Sequence, residues 1–102
     1  MRRISSYTEK KTTSHDGLSL YYEVLGEGEK VILFVHGLGG DIAAWDEERL
    51  FFHQLGYKTI AFDLRAHGYS DHPEKKENFS LEHFARDINA ILEAEKINEF
   101  LL

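Results

Sequence analysis

The run Val31-Ile32-Leu33-Phe34-Val35 constrains the fold more than any other segment of the chain. It offers no polar face to water and is rich in β-branched side chains. A strand of that kind is stable when buried on both sides, as in a parallel sheet covered by helices. A flexible loop follows, His36-Gly37-Leu38-Gly39-Gly40. Asp41 to Leu55 then reads as a helix with Trp45, Leu50, Phe51, Phe52 and Leu55 as its apolar residues, and Gly56 as its stop. Tyr57 to Phe62 is a second buried strand. Asp63 to Lys76 is a polar loop holding the chain's one proline, Pro73. Ser80 is a suitable N-cap for a helix to about Glu95, with Leu81, Phe84, Ala85, Ile88, Ile91 and Leu92 on one stripe.

The segments on either side fit the same plan. Ile4 to Thr13 is polar with scattered β-formers and reads as an edge strand. Ser14-His15-Asp16-Gly17 is a turn signal. Leu18 to Leu25 alternates, which puts Leu18, Leu20, Tyr22 and Val24 on one face. Ile97 to Leu102 begins a last apolar run. The order β-β-β-α-β-α-β predicts an α/β fold: an antiparallel hairpin followed by a βαβαβ parallel unit.

Charge and cysteine content remove several function classes. The formal net charge is -6, and Arg2-Arg3, Lys10-Lys11 and Lys75-Lys76 are short basic pairs, so a nucleic-acid partner is not expected. With no cysteine there is no disulfide, thiolate metal site or cysteine nucleophile. The first six residues have no apolar core of the signal-peptide kind, and no run reaches the ~20 apolar residues of a membrane span. The expectation is a cytoplasmic protein without a membrane partner.

Ligands of open α/β sheets bind at the carboxyl ends of the strands. Two loops fall there. One is His36–Gly40, whose glycines permit a sharp turn and a backbone N–H aimed at a developing oxyanion. The other is Asp63-Leu64-Arg65-Ala66-His67-Gly68-Tyr69-Ser70-Asp71. Together they resemble the α/β-hydrolase superfamily. In that family a His-Gly pair after the third strand opens the oxyanion loop, and an Asp-x-Arg-Gly-x-Gly-x-Ser loop follows the fourth. Here the second pattern is complete except for Ala66 in place of the first glycine. Trp45 also resembles the family pattern.

The resemblance implies roles. The backbone N–H of Leu38 would serve as an oxyanion donor, with Gly37 and Gly39 beside the substrate. His36, Asp63, Arg65, Gly68 and Ser70 would brace the two loops. It implies an esterase-like serine hydrolase acting on a small ester or related acyl substrate through an acyl-enzyme, without cofactor. An aspartate nucleophile, as in dehalogenase and epoxide-hydrolase relatives, stays open. The family's Gly-x-Ser-x-Gly elbow follows the fifth strand, and Phe100-Leu101-Leu102 reads as that strand. None of the six serines has such flanks. Residues 1–102 are therefore expected to be a single partial domain, inactive alone because nucleophile, acid and base histidine are missing.

Other readings compete. Gly37-x-Gly39 opening a helix, with Asp63 after the next strand, mimics a dinucleotide-binding unit. Ile42 stands where close helix–strand packing wants a third small residue. The chain could be a non-catalytic interaction module or half of a split protein, self-associating through its last strand. No metal site is expected. His67, Asp71 and His72 lack a fourth ligand at a recognised spacing.

Overall fold

A computed structural model describes residues 7–37, 39–73 and 80–97. The strands are β1 (Thr8–Thr13), β2 (Ser19–Leu25), β3 (Val31–Val35) and β4 (Lys58–Phe62). A 3-10 helix, Ile42–Trp45, leads into α1 (Asp46–Gln54), and α2 (Leu81–Ala94) follows β4. The four strands form one sheet in the order β1-β2-β4-β3. β3 lies parallel to β4, pairing Val31 with Lys58 through Val35 with Phe62. β2 is antiparallel to both β1 and β4. The expected antiparallel hairpin and the parallel strand pair are both present. The expected last strand lies outside the described residues, as does Leu38.

The period of two along each strand divides the core into two layers. On one face Tyr22, Val24, Val31, Leu33, Ile60 and Phe62 pack with Leu64 and Ile91, and α2 covers them through Phe84 and Ile88. On the other Tyr21, Ile32, Phe34 and Ala61 pack with Ile42, Trp45 and Phe52. Burying each large side chain contributes roughly 1.5–3 kcal/mol.

Tyr22 and Val24 lie on one face of β2 as expected, and Leu20 through Leu25 are all buried because Glu23 on the other face pairs with Arg49 beneath α1. Three expectations need correction. Asp41–Leu55 is not one helix. Ile42 is buried on the sheet and its N–H is fixed by Asp63, so the chain first makes a tight 3-10 turn. The apolar residues named for that helix are not all buried. Phe51 and Leu55 are exposed while Asp46 and Arg49 are buried. In α2 the stripe holds at Phe84, Ile88, Ile91 and Leu92, but Leu81 and Ala85 are exposed. Ser80 caps α2 as expected, accepting the His83 N–H.

Candidate functional site

The two glycine-bearing loops emerge side by side from the carboxyl ends of β3 and β4, and each supplies a histidine to the other. His36 is buried. Its Nε2 accepts the N–H of Leu64 at 3.0 Å. Its Nδ1 lies 2.7 Å from the carbonyl of Gly37, which fixes the neutral tautomer with the proton on Nδ1. His67 repeats the arrangement in the opposite direction. Its Nε2 accepts the N–H of Gly39 at 2.8 Å, and its Nδ1 donates to the carbonyl of Arg65 at 2.9 Å. The two rings sit 5.1 Å apart. Gly40 N–H closes the turn on the carbonyl of Gly37.

Asp63 is the hub of the second loop. It is buried, and its carboxylate accepts the N–H groups of Ile42 and Tyr69. Burial pushes its pKa up, and the two amide bonds and nearby His36 oppose that shift. Gly68 is required beside it: φ is +49°, and a Cβ there would collide with the Asp63 carboxylate. Ser70 ties the loop to the sheet. Its hydroxyl donates to the carbonyl of Asp63 at 2.6 Å and accepts the Tyr21 N–H at 2.9 Å. It is thus an internal brace. Ala66, where the resemblance has glycine, adopts φ +69°, so the left-handed turn is kept despite the Cβ.

Arg65 turns away from the loops. It is fully buried and donates to Asp87 of α2 through Nε (2.8 Å) and Nη2 (2.7 Å). It also reaches Asp16 in the β1–β2 turn through Nη1 (2.9 Å) and Nη2 (3.0 Å). The Asp87 bonds, aided by Asp16, outweigh burial and raise its pKa further.

The remaining site residues separate by exposure. Gly37 and Gly39 are exposed, and Gly39 has φ +85°. Sequence reading missed His67 as an anchor; its symmetry with His36 appears only once the loops are adjacent. It also missed the buried Glu23–Arg49 pair (2.9 Å), in which Tyr21 Oη–H bonds the other Glu23 oxygen. A carboxylate inside an apolar strand was the available signal. Asp71 is occupied by the Ser19 N–H and does not join His67 and His72 in a cluster. A pocket of about 750 Å³ lies at the other end of the strands, among Lys10, Gly26, His53 and Lys58, far from these loops.

The model of the alpha/beta hydrolase fold matches residues 30–102, which include both loops. The chain belongs to that family. Protein ABHD8 from Bos taurus is 36% identical over 90 residues, covering 88% of this chain and 19% of the relative. The solved epoxide hydrolase VrEH1 from Vigna radiata superposes with TM-score 0.88 at 25% identity, over 95% of this chain and 31% of that one. The esterase EaEST from Exiguobacterium antarcticum superposes with TM-score 0.82 at 25% identity, over 91% of this chain and 34% of that one. The chain thus spans about a fifth of the ABHD8 relative and about a third of the solved α/β hydrolases. Within this family, the acid of the dinucleotide reading serves the loop instead: Asp63 is buried and its two carboxylate oxygens accept the backbone N–H groups of Ile42 and Tyr69. Among the described residues no helix is long and apolar enough to cross a membrane.

Proposed function

We propose that these residues supply the oxyanion-hole loop of a serine hydrolase that acts on small carboxylic esters or related acyl substrates. The nucleophile, acid and base histidine would come from outside the 102 residues, and the chain alone would be inactive. The observation that carries this reading is the reciprocal histidine lock. His67 holds Gly39 and His36 holds Leu64, so the loop bearing residue 38 is anchored on both sides. An oxyanion hole stabilises developing charge only if its donors are fixed beforehand. The Gly39 amide is already committed to His67, and the family resemblance assigns the donor role to the Leu38 N–H. Gly37 and Gly39 would let the substrate carbonyl approach without steric interference. His36, Asp63, Arg65, Gly68 and Ser70 act through the backbone they hold.

The test uses the full-length polypeptide and a p-nitrophenyl ester. Leu38→Pro deletes one N–H and should lower kcat by about 10²–10³. Leu38→Ala keeps the amide and should stay near wild type, and unchanged melting temperatures would show both variants folded. Equal activity in the two variants would sink the proposal. A second reading, an aspartate nucleophile opening an epoxide, is favoured by the likeness to VrEH1. A serine-directed phosphonate separates them, because it labels only the serine enzyme.

A further inference from the structure

Away from the two loops, the β1–β2 turn meets the first turn of α2 at His15, Asp16 and His83, and one ligand atom from each lies within 4.8 Å of the others. We propose that these three side chains bind a single divalent cation of borderline hardness, with Zn²⁺ the best match to a two-imidazole, one-carboxylate set.

The distances are those of a site slightly open. His15 Nδ1 is 4.0 Å from Asp16 Oδ1, and His83 Nε2 is 3.8 Å from Asp16 Oδ2. Tetrahedral ligands at ~2.0–2.1 Å from zinc sit roughly 3.3 Å apart, so closure needs about 0.5–1.5 Å of movement. The side chains have that freedom, being 30%, 22% and 23% exposed.

Two further features favour a cation. His83 Nδ1 lies 2.7 Å from Ser80 Oγ. In the tautomer that donates this proton, the Nε2 lone pair faces the Asp16 carboxylate. Metal-bound histidines are held by such an outer hydrogen bond. Secondly, Arg65 is shared between Asp16 and Asp87, so this group of three carries one surplus negative charge. Asp16 is anchored by Arg65 and by the hydroxyl of Ser14, and these bonds keep it ionised. A carboxylate oxygen has lone pairs to serve both a guanidinium and a metal. The bound ion would clip the β1–β2 turn to α2 directly above Arg65.

The test is zinc titration of the full-length chain after chelator treatment, read by calorimetry and by melting temperature. One equivalent should bind with a melting rise of several degrees. Co²⁺ should give the visible bands of a tetrahedral site. His15→Ala and His83→Gln should each weaken binding about 10–100-fold and abolish the thermal shift, as loss of a ligand or its support does. His72→Ala, at another exposed histidine, should change neither. Absence of binding, or binding that survives both His15→Ala and His83→Gln, overturns the proposal.

Discussion

The two faces of the sheet each bury an arginine completely, and they complete its hydrogen bonding to different degrees. On the α2 face, Arg65 places Nε, Nη1 and Nη2 on the carboxylates of Asp87 and Asp16. On the α1 face, Arg49 gives Nη1 to Glu23, with Asp46 3.8 Å away. Its Nε and Nη2 meet no acceptor among the described residues. Taking a guanidinium out of water costs several kcal/mol, which pairing offsets only when the geometry is good and the remaining protons are satisfied. The difference follows from what each arginine holds. Arg65 fixes the loop after β4 against two other segments and so sets the site's geometry. Arg49 joins α1 to β2, which the apolar contacts of Ile42, Trp45 and Phe52 already hold together.

The comparison is broken most directly by removing partners. Asp87→Ala leaves the buried Nε of Arg65 without its acceptor and should destabilise by about 3–5 kcal/mol. Replacing the other face's pair together, Glu23→Gln with Arg49→Met, removes charges whose desolvation was incompletely offset. It should cost below about 2 kcal/mol. Urea midpoints for the two variants decide the matter. Equal losses would mean that Arg49 is as fully satisfied as Arg65.

Acid should sharpen the contrast. Arg65, with help from Ser14, holds the Asp16 carboxyl well below its usual range, although burial works against this. Burial pushes Glu95 up, but hydrogen bonds from Tyr22, Lys10 and Lys58 outweigh it and leave its pKa lowered. A carboxyl with a lowered native pKa contributes stability above its unfolded value of about 4, and that stability drains away as pH falls toward the native value. Asp63, with a raised pKa, works in the opposite sense and is relieved by acid. Two opposed by one predicts a net loss below about pH 4, located on the α2 face. Thermal melts of Asp16→Asn should show a shallower acid limb than wild type, starting from lower stability at neutral pH. An unchanged acid limb would assign the loss elsewhere.

What was legible in the sequence was local. Val31–Val35 announces a strand buried on both sides, and the Asp63–Ser70 loop carries its own turn chemistry, so strands, loops and family could be read from adjacent residues. What was illegible depends on distant partners. Glu23 and Arg49 are 26 positions apart, and Asp16 and Arg65 are 49. Neither pair leaves a periodic trace. The apolar residues of α1 did not show its buried face, because the helix turns its charged Asp46 and Arg49 inward, toward Glu23, and leaves Phe51 in water. Ala66 looked like a departure in composition, but the backbone keeps the left-handed turn a glycine would make.

The smallest expected effect lies where the covering helices end. Both close with the same paired bonds. After α1, Gly56 N–H meets His53 O and Tyr57 N–H meets Phe52 O. After α2, Lys96 N–H meets Glu93 O and Ile97 N–H meets Leu92 O. The motif needs a left-handed residue at its centre. Gly56 takes φ +93° freely, whereas Lys96 takes φ +57° with a Cβ. A left-handed non-glycine residue costs roughly 1–2 kcal/mol, and glycine's extra freedom in the unfolded chain returns about 0.5–1. Lys96→Gly should therefore stabilise the fold by about 0.5–1 kcal/mol, while Gly56→Ala should cost a similar amount. Paired chemical denaturation curves test both signs. A Lys96→Gly variant no more stable than wild type would mean that contacts of the Lys96 side chain compensate the strained backbone, and the two helix ends would then differ in chemistry as well as in residue.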